Sequence, residues 1–182
     1  MIEPLSPYIH YYNRGVNKED IFFDKSQYDY LIQTFYRFFP HYSLELIAYC
    51  LMPNHYHILL KHDDLLEGSK FIQRVFNSYT QSVNRQVSRV GTLFQGNVKK
   101  RFVEDDDYLL DVISYIHLNP VKSGLCTKPE EWQFSDYTEW VGTKKSARNL
   151  APERDRIFGD IDNFIEIINM KTHDLQSLQT DQ

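Results

Sequence analysis

The order of segments predicts an α+β fold, an antiparallel sheet with helices on one face and a helical tail at the C-terminus. Three observations carry this expectation. Short alternating or apolar runs trade places with longer runs at helical spacing in the order β-α-β-β-α-β-α. Pro, Gly and Asn fall between those runs, where a chain turns. In 182 residues, 42% are hydrophobic and 25% charged, enough apolar material for one real core.

Tyr8–Asn13, rich in Tyr and Ile, reads as a strand, and Arg14-Gly15-Val16-Asn17-Lys18 as the turn that follows. Lys25–Phe39 reads as a helix because Tyr28, Leu31, Ile32 and Phe35 recur at helical spacing, with Pro40 as its stop. Ser43–Leu51 and His55–Lys61 read as an antiparallel pair about the turn Met52-Pro53-Asn54. Leu66–Val87 is a longer amphipathic helix: Phe71, Ile72, Val75, Phe76, Tyr79 and Val83 share one side, and Lys70, Arg74 and Arg85 fall roughly opposite. After a loop holding Gly91 and Gly96, Asn97–Val103 reads as a strand. Glu104–Leu118 is a helix whose acidic first turn suits the positive end of the helix dipole, and Pro120 is expected to end it. This order is the split βαβ arrangement, ferredoxin-like or RRM-like, whose open sheet face is free to meet nucleic acid.

Residues 1–141 are expected to form this domain, and residues 142–182 a linker and helical tail. Trp132–Trp140 reads as an aromatic flap packed back on the domain, Gly142–Asn149 as a polar, basic linker, Ile157–Met170 as a last helix, and Thr172–Gln182 as a frayed end.

Cys50 and Cys126 form no C-x-x-C pattern, so neither a disulfide framework nor a cysteine zinc site is indicated. Met1-Ile2-Glu3-Pro4 lacks the start of a signal peptide, and no apolar run is long enough to span a bilayer. The expectation is a cytoplasmic protein with no membrane partner. The net charge of −5 hides an asymmetry. Gly68–Arg101 contributes +7 through Lys70, Arg74, Arg85, Arg89, Lys99, Lys100 and Arg101 without one acidic residue, leaving −12 for the rest. Such a stretch favours a polyanionic partner over a merely solvated face.

Chemistry concentrates in two places. Residues two apart in a strand face the same way, so His55 and His57 project together while Tyr56 and Ile58 point oppositely. Two adjacent imidazoles are half of a metal site. Tyr115 and Asn119, four apart, share a helix side at the edge of the stripe Leu109, Val112, Ile113 and Ile116. Taken singly, each feature has a bland reading: a core histidine, a core-edge tyrosine, a helix-ending asparagine.

Together, Leu51-Met52-Pro53-Asn54-His55-Tyr56-His57-Ile58-Leu59 and Tyr115-Ile116-His117-Leu118-Asn119-Pro120-Val121-Lys122-Ser123-Gly124 resemble the single-tyrosine HUH transposases, more narrowly the REP-associated tyrosine transposases of the IS200-like superfamily. Arg14–Lys18, Gly91–Gly96 and Trp132–Ser135 are also similar to family segments, so the resemblance covers about residues 8 to 140. It implies a metal-dependent endonuclease and strand transferase acting on single-stranded DNA near hairpins. Tyr115 is then the nucleophile, forming a 5′-phosphotyrosine. His55, His57 and Asn119 hold a divalent metal, Mg²⁺ or Mn²⁺, and Mn²⁺ should bind the two softer imidazoles more tightly. Lys70, Arg74, Arg85, Lys99, Lys100 and Arg101 are the candidates for phosphate contacts. A homodimer and a monomer both stay open.

Two other readings compete. A histidine-triad phosphohydrolase would want a third histidine at position 59, which is Leu59, and a two-motif phosphoesterase a second H-x-[ST], which is missing. A catalytically silent nucleic-acid-binding protein derived from a transposase could dispense with His55, His57 and Tyr115, yet all three are present.

Overall fold

The computed structural model describes residues 7–180. The opening Met1–Pro4 and the last two residues of the expected frayed end lie outside them. Four strands, β1 (Tyr8–Arg14), β2 (Glu45–Met52), β3 (His55–Lys61) and β4 (Lys99–Phe102), form one antiparallel sheet in the order β2-β3-β1-β4. Helices α1 (Lys25–Phe38) and α2 (Leu65–Gln86) fill the two crossovers. The split βαβ expectation therefore holds in connectivity and in strand order.

Alternation sorts the side chains. Ile9, Tyr11, Tyr49, Leu51, Tyr56, Ile58 and Leu60 are buried against α1 and α2, where Tyr56 stacks on Phe76 with ring centroids 3.9 Å apart. The two helices begin at Asp24 and Asp64, whose carboxylates accept the N–H groups of Gln27 and Leu66. Gly68 lets the first turn of α2 lie close to the sheet, since a Cβ there would collide with His62 Nε2 and the Tyr11 hydroxyl.

The expectation of helices on one face holds for α1 and α2 alone. Helix α3 (Asp106–Lys122) and the C-terminal α4 (Tyr137–Trp140), α5 (Ala151–Phe158) and α6 (Ile161–Thr180) form a second core on the opposite face with Ile47, Ala48, Cys50, Met52 and Leu59. A bulge between Leu46 and Ala48 turns both Ile47 and Ala48 toward that core. Coverage stops there. The β1–β4 half of this face keeps a polar set: His10, Tyr12, Lys99 and Arg101, with His55 and His57 beside them.

Pro120 does not end α3, which runs on to Lys122. Near a C-terminus proline removes only one late hydrogen bond, and the stop comes from Gly124 at φ +69. Leu125 N–H donates to the Pro120 carbonyl (3.0 Å) and Gly124 N–H to the Val121 carbonyl (2.9 Å), a Schellman ending. The Trp132–Trp140 stretch packs back as expected: Phe134 stacks on Tyr28 at 3.8 Å and the Trp132 indole donates to the Leu51 carbonyl at 3.0 Å.

The expected last helix is two helices broken at Gly159 (φ +87), and the second extends through residues expected to fray. Nor is the linker wholly solvated. The Arg148 guanidinium donates to the Leu46 carbonyl and, at 2.9 Å each, to Asp136 and Glu139. Asp136, fully buried, also accepts the Tyr49 N–H and the His117 Nε2–H. Burial alone would raise its carboxyl pKa; Arg148, His117 and the Tyr49 amide outweigh that and hold it below the ordinary range.

Candidate active site

The pleat of β3 points both His55 and His57 toward the half-open face. Each ring has one nitrogen occupied. His55 Nδ1 lies 2.6 Å from Asn54 Oδ1, and Asn54 is held in that orientation because its amide nitrogen donates to the Lys18 carbonyl at 3.1 Å. His55 therefore carries its proton on Nδ1. Its Nε2 lies 3.0 Å from the Asn119 side-chain amide, within hydrogen-bond distance. The same spacing would suit two donors each roughly 2.1 Å from one ion at a right angle. His57 Nδ1 lies 2.9 Å from His10 Nε2, and the His55 and His57 rings stand nearly perpendicular at 5.3 Å.

The electrostatics suit this use. Burial lowers the pKa of His55, with Arg14 adding to the effect and Asn119 opposing it. Burial drives His57 well below its usual value, aided by His10 and His55. Burial and Arg101 bring His10 down to about 4. All three rings are neutral near pH 7, the state a metal ligand requires. Two imidazoles and a carboxamide oxygen are a borderline donor set that could hold Mn²⁺ or Mg²⁺. No group of three or more His, Cys, Asp or Glu side chains that could hold a metal occurs among the described residues.

Helix α3 delivers the other half. Its buried side, Leu109, Val112, Ile113 and Ile116, seats it on the sheet, so Asn119 reaches His55 while Tyr115, one turn earlier, stays 40% exposed. The Tyr115 ring meets the His57 ring edge-on at 5.1 Å and lies 6.4 Å from His10, with the Lys122 ammonium 5.4 Å from its centre. Asp105 caps the helix by accepting the Tyr108 N–H. Two sequence-derived segments meet at the mouth: Gln95 N–H donates to the Arg14 carbonyl at 2.8 Å and Val16 N–H to the Leu93 carbonyl at 3.2 Å. The resulting cleft, about 500 Å³, is lined by Tyr12, Asn13, Arg14, Lys18, Asn54, His55, His57, Gln95, Lys99 and Tyr115.

The structure thus brings Tyr115, His55, His57 and Asn119 together, and divides the basic stretch. Lys99 lines the Tyr115 cleft, and Arg101 lines its continuation beside His10 and Tyr108. Lys100, between them, takes the other face of β4. Lys70 borders a separate groove along α2, Arg74 lies 4.6 Å over the Phe38 ring, and Arg85 is exposed near the end of α2. His117 is fully buried against Asp136, apart from His55 and His57, and Asp111 pairs with Lys171 at 2.9 Å. Sequence reasoning left out His10, Arg14, Lys18 and Asn54 as site residues. The last three sat inside segments already singled out. His10 carried only the signal of period two with Tyr12, which needs the pairing register to become meaningful.

Comparisons with known proteins bear on the family and the fold. A protein of Haemophilus influenzae named as a REP-associated tyrosine transposase is 28% identical over 132 residues, 66% of this chain and 75% of the relative. A solved structure of a REP-associated tyrosine transposase bound to a REP hairpin superimposes with a TM-score of 0.63, covering 82% of this chain and 88% of the other at 18% identity, which establishes the fold. The family model described as "Transposase IS200 like" matches residues 6–119, and the chain belongs to that family of DNA-cleaving transposases.

Proposed function

We propose that this protein is a metal-dependent endonuclease and strand transferase for single-stranded DNA next to a hairpin. The observation that carries it is the convergence of one exposed tyrosine with two neutral imidazoles and a carboxamide oxygen in one basic cleft. The hairpin follows the DNA bound to the solved relative.

Tyr115 Oη attacks the phosphorus of a phosphodiester, and the P–O3′ bond breaks. Tyr115 loses its phenolic proton and the departing 3′-oxygen gains one, so the products are a 5′-phosphotyrosine on Tyr115 and a free 3′-hydroxyl. The link conserves the phosphodiester's energy, so a second 3′-hydroxyl reverses the step and reseals a strand without a nucleotide cofactor. His55, His57 and Asn119 would hold Mg²⁺ or Mn²⁺, which when bound neutralises and orients the scissile phosphate. Lys99 and Arg101 carry the flanking phosphates on the same face, and Arg14 and Lys18 line the mouth. The other basic candidates, Lys70, Arg74, Arg85 and Lys100, would serve a DNA segment that wraps beyond this face. One chain carries all four central groups.

The test is a cleavage assay with labelled hairpins carrying single-stranded flanks, in Mn²⁺ or Mg²⁺. The expected result is a denaturation-resistant protein–DNA adduct that needs the metal and is lost in Tyr115→Phe. Tight binding with no adduct over a broad hairpin set would instead identify a binder that does not cut.

A further inference from the structure

We propose that His10 is a positioning residue of the metal site: its Nε2 accepts the Nδ1–H of His57 and commits His57 to present Nε2 outward. This rests on the metal reading above and extends it by one residue. On the sheet, His10 pairs with Leu59 and His57 with Tyr12, so the two histidines are diagonal neighbours on one face. Their facing nitrogens are 2.9 Å apart, and His10 is 7% exposed, enclosed by Tyr12 at 5.1 Å, His57 at 5.0 Å and Tyr115 at 6.4 Å.

Proton bookkeeping decides the direction of that contact. If His10 donated, His57 Nδ1 would be the acceptor and its remaining proton would sit on Nε2, closing the only nitrogen left for an ion. If His10 accepts, His57 Nε2 is a free lone pair. His55 shows the same plan with a different partner, since Asn54 Oδ1 takes its Nδ1–H. Each ligand ring thus has an outer acceptor, one supplied by the β2–β3 turn and the other by β1. Such outer partners fix both tautomer and ring orientation, and their loss typically weakens metal binding about 10–100-fold.

Side-chain reach supplies the test. The terminal amide of glutamine lies where the histidine Nε2 does, whereas that of asparagine falls short, at the Nδ1 position. Mn²⁺ binding to the full chain is followed by the paramagnetic resonance signal of the free aquo ion, for wild type, His10→Gln, His10→Asn, His10→Leu and the ligand deletion His55→Ala, with circular dichroism melts on each. His10→Leu and His10→Asn should weaken Mn²⁺ about 10–100-fold, and His10→Gln should retain most of the affinity. A merely structural histidine would not sort glutamine from asparagine in this way. Should His10→Leu fail to fold, the Gln/Asn pair carries the comparison. Wild-type affinity in folded His10→Leu, or His10→Gln as weak as His10→Asn, would overturn the inference; if His55→Ala still loses binding, the metal reading survives it. A wild-type chain that binds no Mn²⁺ would overturn both.

Discussion

The two faces of the sheet are made from the same strands and have opposite purposes. Toward α1 and α2, Tyr11, Tyr56, Ile58 and Leu60 are fully enclosed in a mostly apolar and aromatic core. Toward α3, the adjacent residues of the same strands are His10, Tyr12, His55 and His57, and the covering layer stops halfway across. The chemistry therefore rests on strands clamped from behind. A side chain such as His57 keeps its orientation because Tyr56 beside it is locked on Phe76.

The sharpest way to break this contrast is to mutate neighbours. Tyr56→Ala should cost about 3–5 kcal/mol in urea unfolding, through the lost burial and the cavity beside Phe76. His57→Ala should cost about 1 kcal/mol yet remove metal-dependent adduct formation. If the two variants lose stability alike, the division between a holding face and a working face is wrong.

The covering layer has its own weak point. Arg148→Ala leaves Asp136 and Glu139 buried without their cation, and about 3–5 kcal/mol of stability should go with it. A melt like the wild type's would show that the 142–149 segment is only draped over the core.

Protonation should act most strongly on the working face. His10 has a folded-state pKa of about 4 against 6.5 when free. Below about pH 6.5 the unfolded chain gains a proton that the folded chain refuses, so stability is fully present above that pH and falls through the window down to about 4. The loss is on the order of 3 kcal/mol, and the burial-driven lowering at His57 adds in the same direction. Unfolding midpoints measured across this range should fall steeply in wild type and less in His10→Gln; parallel curves would rule His10 out as the source.

The smallest expected effect separates two neighbouring lysines. Lys99→Ala should reduce the slope of log affinity for single-stranded DNA against log salt by about 0.7, the contribution of one phosphate. Lys100→Ala, on the opposite face of β4, should leave the slope almost unchanged for a short strand bound at Tyr115. Equal effects would mean that the DNA straddles the edge strand.

Much of this architecture is local. Period two in His55–Lys61 already sends both histidines one way and Tyr56 the other, and a spacing of four already puts Tyr115 and Asn119 on one helix side. Those relations hold within a few residues, so the sequence by itself determined the succession of strands and helices, the shared face of His55 and His57 and the shared helix side of Tyr115 and Asn119. Tertiary structure alone decided the rest. His10 becomes relevant only when the β1–β3 register sets it diagonally from His57, a choice made by the burial of Ile9, Tyr11, Ile58 and Leu60 together. Asn119 meets His55 because the packing of Leu109, Val112, Ile113 and Ile116 fixes where α3 crosses the sheet. The continuous basic stretch of the sequence is divided because successive strand residues face opposite ways and α2 lies in the other layer. Periodicity is written in near neighbours, whereas register and layer packing are sums over residues far apart in the chain, and no short stretch of sequence carries such a sum.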